Sequence, residues 1–138
     1  MYITRHINKI NALPPSVLTI GNFDGVHIGH KKIIDEINKI AHEKNLTSTI
    51  LTFQPHPAKL FKPELARDFN ILTLAQKLKI FRNHKISHTV IAPFNRNFSD
   101  IIADDFINKI LIEKLNIKHL VTHLKYSKSS PICWHLFR

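Results

Sequence analysis

The stretch VLTIGNFDGVHIGH, residues 17–30, decides the fold of this chain. It opens with a short apolar run, holds all three glycines of the 138 residues, and leads into a lysine-rich helical pattern. An apolar, β-branched run that ends in glycine and precedes a helical pattern predicts a strand, a turn and a helix in succession. This is the first repeating unit of an α/β protein with a parallel sheet.

The rest of the chain continues this alternation of strands and helices. The predicted strands cover 17–21, 47–53, 87–94 and 118–122. The predicted helices cover 27–45, 73–85 and 100–116. Between the second strand and the second helix, three prolines predict a loop with at most a short helical turn. The alternation favours a Rossmann-like, doubly wound parallel sheet with helices on both faces.

Caps and apolar stripes predict how the helices begin and which face each buries. Thr73 and Ser99 stand where N-caps are expected for the second and third helices. Asp100, Asp104 and Asp105 lie early in the third helix, where the helix dipole favours negative charge. The residues expected to face the core are Ile28, Ile33, Ile34, Ile37, Ile40 and Ala41, then Leu74, Leu78 and Phe81, then Ile102, Phe106, Ile110 and Leu111.

Composition narrows the class of protein. The hydrophobic content of 43% predicts one globular domain. The formal charge is +10, but the lysines are dispersed and no basic run exceeds two residues, so we expect no nucleic-acid partner. A single cysteine, Cys133, excludes an internal disulfide and fits a reducing cytoplasm. No apolar run approaches a membrane span or a secretory signal, so a cytoplasmic location without a membrane partner is expected. The composition gives no indication of oligomeric state.

The turn after the first strand predicts a phosphate site. Ligands of doubly wound sheets bind beyond the carboxyl ends of the strands, and the N–H groups at a helix start favour phosphate. The turn matches neither the Walker loop nor the GxGxxG fingerprint. Its distinctive feature is a pair of histidines, His27 and His30, three residues apart at the helix start. Such imidazoles share one helical face and can donate hydrogen bonds to a phosphate that gains charge in a transition state.

A zinc site is the alternative interpretation of this histidine pair. Zinc needs a third and usually a fourth ligand. His56 could supply a third, whereas Cys133 lies far off in an irregular tail. The phosphate interpretation is therefore favoured, and no resident metal is expected.

At this point the residues resemble a known family. GNFDGVHIGHKK, residues 21–32, is similar to the signature of the bacterial FAD synthetases, a branch of the HxGH nucleotidyltransferases. LTFQPHPAKLF, residues 51–61, resembles the Phe-x-Pro-His-Pro segment of that family, and the PFNRNF stretch at 93–98 fits as well. The resemblance covers residues 15–121 and points to the N-terminal FMN adenylyltransferase domain of the bifunctional riboflavin kinase/FMN adenylyltransferases.

The resemblance implies a reaction and a role for each matching residue. The FMN phosphate would attack the α-phosphorus of ATP, which is bound with Mg²⁺, and FAD and pyrophosphate would form. His27 and His30 would contact the ATP phosphates and stabilise the transition state. The nucleotide loop would be shaped by Gly21, Asn22, Phe23, Asp24, Gly25 and Gly29. The flavin side would be formed by Pro55, His56, Pro57, Asn95 and Phe98. A packing role is equally expected for Pro57 and Phe98, a turn role for Asn95, and a core position for Phe23.

The last part of the chain departs from the family pattern. After the fourth strand the family continues with a Gly-x-(Asn/Asp)-Phe-x-Phe-Gly segment and a later Ser-Ser-Thr-x-x-Arg segment, but this chain reads HLKYSKSSPICWHLFR. We therefore expect a truncated adenylyltransferase domain at 1–121, a sheet that is incomplete at its C-terminal side, and no riboflavin kinase domain. The divergent tail, 122–138, is also typical of a shifted reading frame.

Three alternatives to an active FMN adenylyltransferase remain open from the sequence. The first is a non-catalytic remnant that binds ATP weakly or not at all. The second is another HxGH transferase, such as a cytidylyltransferase or phosphopantetheine adenylyltransferase, although the Pro-His-Pro segment argues against it. The third, a nucleic-acid-binding module, is supported by charge alone.

Overall fold

A computed structural model describes residues 1–25, 28–55, 58–61, 64 and 72–121. Its centre is a five-stranded sheet in which every neighbouring pair of strands is parallel. The strands in chain order are β1 (Tyr2–Thr4), β2 (Ser16–Ile20), β3 (Thr47–Gln54), β4 (His88–Pro93) and β5 (Ile117–Leu120). Their spatial order is β1-β4-β3-β2-β5. The predicted α/β fold with a parallel sheet is therefore confirmed.

The helices fill the connections between the strands. They are α1 (Ile28–Lys44), α2 (Ala58–Phe61), α3 (Leu74–Asn83), α4 (Arg96–Ser99) and α5 (Ala103–Asp105), and α5 continues directly into a π-helix (Phe106–Lys114). A 3₁₀ turn (Ile7–Lys9) follows β1. Among the described helices none is long and apolar enough to span a bilayer.

Side chains alternate across the sheet and build a core on each face. Leu18, Leu51 and Val90 point into one core, which is covered by the 3₁₀ turn, α4 and the π-helix. Val17 and Ile50 point into the other core, which is covered by α1 and α3. This period of two is expected for strands buried on both faces. Helices therefore cover both faces, as the sequence predicts.

Of the two residues predicted to cap helices at their N-termini, one is confirmed and the other is wrong. Thr73 caps α3 as expected, because its side chain accepts from the backbone N–H of Gln76 while the Gln76 side chain accepts from the Thr73 backbone N–H. The predicted cap at Ser99 is wrong. Asn95 caps a separate turn, α4, and Ser99 is the last residue of that turn, with its hydroxyl donating to the Arg96 carbonyl. The next helix begins later, after Ile102.

Most of the predicted buried stripes are confirmed, with two corrections. Ile33, Ile34, Ile37 and Ala41 are buried on α1, as are Leu78 and Phe81 on α3 and Phe106, Ile110 and Leu111 on the π-helix. Ile28 is 74% exposed because it begins α1, ahead of the turns that meet the sheet. Ile102 is 58% exposed because it precedes α5 as its N-cap residue. These two isoleucines do not face the core.

The sequence did not predict the edge strand β1. Tyr2, Ile3 and Thr4 pair in parallel with the start of β4, although Tyr2 itself is 80% exposed. A strand of three residues is too short to show a period of two. The run MYIT therefore carried no signal that could distinguish an edge strand from an extended terminus.

The strand order creates one point where the chain reverses direction across the sheet. From β2 the chain passes to β3 on one side, whereas β5 pairs with β2 on the other side. The α1 connection covers one face and the α4-to-π-helix connection covers the other. Crevices at such a switch point, outside the carboxyl ends of the strands, are where open α/β sheets bind ligands. β2 ends at this point, and residue 21 follows it.

Candidate functional site

The turn of residues 21–25, hereafter the glycine turn, leaves β2 at the switch point. The Gly21 N–H donates to the Leu51 carbonyl at 3.1 Å, which extends the β2–β3 ladder by one residue. The Thr52 hydroxyl then donates to the Asn22 carbonyl at 3.4 Å. These two bonds fix the start of the turn relative to β3. The turn therefore begins on rigid backbone rather than on a free loop.

Phe23 anchors the middle of the turn in the core beneath α1 and α3. It is 3% exposed, and its backbone φ of 52° is in the left-handed region that bulky residues seldom adopt. Its ring lies edge-on to Phe81, with centroids 5.4 Å apart, and tilted against His30 at 5.1 Å. The expected core position of Phe23 is confirmed. Burial of the ring is what holds the unfavourable backbone conformation.

At two positions of the turn, steric effects explain why the residue is glycine. A Cβ on Gly21 would lie 3.2 Å from Cε2 of Phe23, closer than side chains normally pack. Gly25 has a φ of 63°, a conformation that costs about 1–2 kcal/mol for a residue with a Cβ. Glycine at the first position therefore leaves room for the Phe23 ring, and glycine at the last position permits the left-handed backbone that precedes α1.

His30 lies in the first turn of α1 and is half-buried. Its ring packs on Phe23, so the aromatic anchor of the turn also orients one histidine of the predicted pair. Gly29 belongs to the same first turn, at the positive end of the helix dipole. A helix start of this kind favours an anion such as phosphate. His27, the other histidine, lies outside the described residues.

Lys77 of α3 is a charged residue of the site that the sequence interpretation missed. It is only 5% exposed, and burial lowers its pKa while the carboxylate of Asp24 acts in the opposite direction. A signal existed in the sequence, because Lys77 stands three residues after Leu74 and four before Phe81, within the apolar stripe. The carboxylate of Asp24 therefore partly offsets the effect of burial on the pKa of Lys77.

Asn22 brings a buried acceptor to the start of the turn. Its side-chain oxygen Oδ1 is shielded from solvent and has no hydrogen-bond partner within residues 1–25, 28–55, 58–61, 64 and 72–121. Buried polar atoms are nearly always hydrogen-bonded in folded proteins, so an orphan of this kind requires an explanation. A donor on a bound ligand is one group that would satisfy it.

The residues expected on the flavin side divide into three groups. Pro55 is exposed directly after β3, and Asn95 follows β4. Because Gln54 at the end of β3 pairs with Pro93 at the end of β4, both segments leave the sheet at the carboxyl ends of its strands. Asn95 accepts from the Phe98 N–H at 2.9 Å and caps α4. Phe98 is buried among three other phenylalanine rings. His56 and Pro57 lie outside the described residues.

The described residues show no group of three His, Cys, Asp or Glu side chains that could hold a metal ion. This finding does not decide the zinc alternative, because His27 and His56, two of the ligands it would need, are outside the described ranges. What the described part contains is a helix start, a half-buried histidine and a buried lysine around one turn. This set suits an anionic ligand better than a cation.

Comparison with known proteins adds to this geometry. The model of the family described as FAD synthetase matches residues 9–128 of this chain. The chain is 35% identical over 116 residues to the bifunctional riboflavin kinase/FMN adenylyltransferase of Buchnera aphidicola subsp. Schizaphis graminum, which covers 84% of this chain and 36% of that protein. For the Escherichia coli K12 protein of the same name the identity is 31% over 122 residues, covering 87% of this chain and 39% of that protein.

A relative of the same name from Bacillus subtilis is 33% identical over 120 residues, covering 83% of this chain and 38% of that protein. Among solved structures, the crystal structure of a macrolide-efflux protein from Streptococcus pneumoniae superposes with a TM-score of 0.80. That match covers 95% of this chain and 45% of the other at 23% identity, so it supports the fold alone. The chain spans less than two-fifths of the length of these curated relatives.

Proposed function

Because the chain belongs to the FAD synthetase family, we propose that it transfers AMP from ATP to FMN, giving FAD and pyrophosphate. The observation that carries the proposal is the location of the glycine turn and the start of α1. Both lie at the switch point of the sheet, where the positive end of a helix would favour a nucleotide phosphate. The length of the match to the family supports extending this chemistry to the present chain.

In the proposed reaction, a phosphate oxygen of FMN forms a bond to the α-phosphorus of ATP. The bond between that phosphorus and the oxygen bridging to the β-phosphate breaks, and pyrophosphate leaves with the electron pair. Little covalent chemistry is left to the protein, so positioning and charge stabilisation carry the acceleration. His30 and His27 would donate hydrogen bonds to the phosphate oxygens, and the N–H groups of the first turn of α1 would do the same.

Mg²⁺ is proposed as part of the substrate MgATP. It prefers near-octahedral oxygen coordination and is usually held by phosphates and waters with one or two protein groups. The orphan Oδ1 of Asn22 is an oxygen that could accept from a metal-bound water or from the nucleotide.

Fewer residues are proposed as flavin contacts than the sequence suggested. Burial of Phe98 among phenylalanines and the capping bond of Asn95 favour the packing and turn roles for these two residues. Pro55 remains a proposed flavin contact, since it is exposed at the carboxyl ends of the strands, where the glycine turn also lies. His56 and Pro57 are proposed on the family resemblance alone.

The test is FAD formation by the purified chain from FMN, ATP and Mg²⁺, quantified by chromatography. The proposal expects FAD and pyrophosphate in equal amounts, and expects no product when CTP replaces ATP or phosphopantetheine replaces FMN. Product from either replacement would favour another HxGH transferase. An absence of FAD, together with a melting temperature unaffected by ATP, would leave the non-catalytic remnant as the correct description.

A further inference from the structure

We propose that residues 3–13 form a second binding site, hereafter the basic cleft, which takes a small phosphate monoester whose organic part is apolar. The cleft has a volume of about 400 Å³, which is within the range of pockets that hold small molecules. The strands β4 and β3 separate β1 from β2 in the sheet, so the cleft beside β1 is distinct from the glycine turn. The inference therefore goes beyond the proposed function and does not depend on it.

Hydrogen bonds hold the wall of the basic cleft at three places. At the end of β1, the Thr4 hydroxyl and Nε2 of the buried His88 lie 2.8 Å apart. In the middle, the Lys114 side chain donates to the Ile7 carbonyl at 3.2 Å. At the far end, the Leu13 N–H donates to the Lys114 carbonyl at 3.0 Å. The segment is therefore tied to β4 and to the π-helix, and it presents a preorganised surface.

The apolar side chains of this segment serve both the core and the cleft. Ile7 is 2% exposed and belongs to the core that the π-helix covers. Ile10 and Leu13 pack against the same core, but both are only half-buried and both line the cleft. Their uncovered parts form an apolar patch, which an apolar group of a ligand would remove from water.

Basic side chains supply the charge of the cleft. Arg5, His6 and Lys9 line it and are exposed. No Asp or Glu precedes Asp24 in the sequence, and neither Arg5 nor Lys9 forms an ion pair with a described residue. His6 stands at the N-cap of the 3₁₀ turn, yet its side chain makes no capping bond. Since no described carboxylate offsets these positive groups, the cleft attracts anions.

The residue types favour a phosphate monoester among the possible anions. Arg5 and Lys9 carry two positive charges, and a phosphate monoester carries about two negative charges near pH 7. The planar fork of an arginine can donate two parallel hydrogen bonds to one phosphate, whereas a lysine acts as a point charge. His6 and Asn11, which also line the cleft, can add further donors. The apolar patch beside them favours an organic phosphate over the inorganic ion.

Phenyl phosphate is the probe, because it joins a phosphate monoester to one apolar ring. In an NMR titration of the isotope-labelled chain it should shift the amide signals of residues 4–13. Inorganic phosphate should shift the same signals and bind roughly 10-fold more weakly, since it has no ring to cover Ile10 and Leu13. Equal affinity for the two anions would contradict the organic class of ligand. Amide signals of 4–13 that do not respond to phenyl phosphate, or a response confined to residues 21–30, would overturn the inference.

A matched pair of double variants separates the cleft from a general attraction of anions to a basic protein. Arg5→Gln/Lys9→Gln removes two exposed positive charges from the cleft, and Lys39→Gln/Lys44→Gln removes two from α1. The cleft variant should bind phenyl phosphate roughly 10-fold more weakly or worse, which is the scale of losing one hydrogen bond to a charged group. The α1 variant should bind like the unaltered chain. Equal losses in the two variants would show that net charge alone attracts the anion, and the inference would then be wrong.

The cleft variant should keep the melting temperature of the unaltered chain, because the bonds that hold the segment involve other residues. A loss of binding in this variant therefore reports on the cleft and not on unfolding. The readout is independent of catalysis, so an absence of FAD formation would contradict the proposed function while the basic cleft stands.

Discussion

The ring of Phe23 lies edge-on to the ring of Phe81, with centroids 5.4 Å apart and planes at 85°. This contact joins the glycine turn to α3, although 58 residues separate the two in the sequence. The same Phe23 ring packs on His30 at the start of α1. One aromatic side chain therefore sets the geometry of the turn relative to both helices of this face, and the turn should respond to changes in either helix.

Phe81→Leu tests this aromatic contact. A nearly volume-conserving change in a core costs less than about 1.5 kcal/mol, so the variant should remain folded while the T-shaped contact is lost. Phe106→Leu is the matched control, since Phe106 is equally buried in the core on the opposite face. Both variants should lose a similar free energy of unfolding, measured in urea, but only Phe81→Leu should weaken ATP binding in calorimetry. Equal ATP affinity in the two variants would contradict the contact's role.

Gly25→Ala tests the left-handed backbone at the end of the turn. A Cβ at a φ of 63° should cost about 1–2 kcal/mol of folding free energy and shift the turn toward a different conformation. Asn45→Ala is a control at a φ of 54° after α1, remote from the switch point. Both changes should lower the melting temperature, and Gly25→Ala alone should raise the dissociation constant for ATP. A normal dissociation constant in Gly25→Ala would show that the turn does not contact the nucleotide.

Thr73→Ala tests the capping box at the start of α3. Loss of the bond from the Gln76 N–H should reduce the free energy of unfolding by about 1 kcal/mol. Thr73→Ser retains the accepting oxygen and should stay within a few tenths of a kcal/mol of the unaltered chain. Denaturation midpoints at constant m-value measure the difference. A similar loss in both variants would show that the methyl group, rather than the cap, stabilises the helix.

His88 should make stability fall in mild acid. Burial lowers its pKa below the ordinary value, and its Nε2 lies 2.8 Å from the Thr4 hydroxyl while its ring meets Tyr2 edge-on. The unfolded chain therefore binds a proton more readily, so stability is retained above about pH 6.5 and declines as the pH falls from there toward the folded pKa. His88→Gln should flatten this decline, and His42→Gln, on an exposed position of α1, should not. An identical pH profile in His88→Gln would contradict the assignment.

The predictable parts of the fold are those with a local signal repeated over many residues. The stripes of α1 and α3 recur at helical spacing, and the capping box at Thr73 is complete within four residues. The boundary at Ser99 was predicted wrongly because residues 96–99 form a separate turn, α4, which Asn95 caps. The next helix begins only after Ile102, whose side chain makes no capping bond, so no capping residue in the sequence marks that start.

The residues of the candidate site also differ in whether the sequence alone could predict them. The glycine turn and His30 belong to one continuous motif, so their neighbourhood could be predicted from the sequence. The burial of Lys77 could not be predicted, because a lysine in an apolar stripe normally indicates an interrupted stripe rather than a buried charge. The roles of His27, His56 and Pro57 stay predictions, since these residues lie outside the described ranges.

The most direct test of the central claim is the rate of FAD formation from FMN and MgATP by the unaltered chain and by His30→Asn, measured side by side. Removal of one donor to a phosphate in its transition state should lower kcat by roughly 10²- to 10³-fold. A His42→Gln variant, altered on the exposed part of α1, should keep the full rate. FAD formation that depends on His30 is the result that adenylyl transfer predicts. A folded, ATP-binding chain that forms no FAD, or one that forms FAD equally fast without His30, would contradict it.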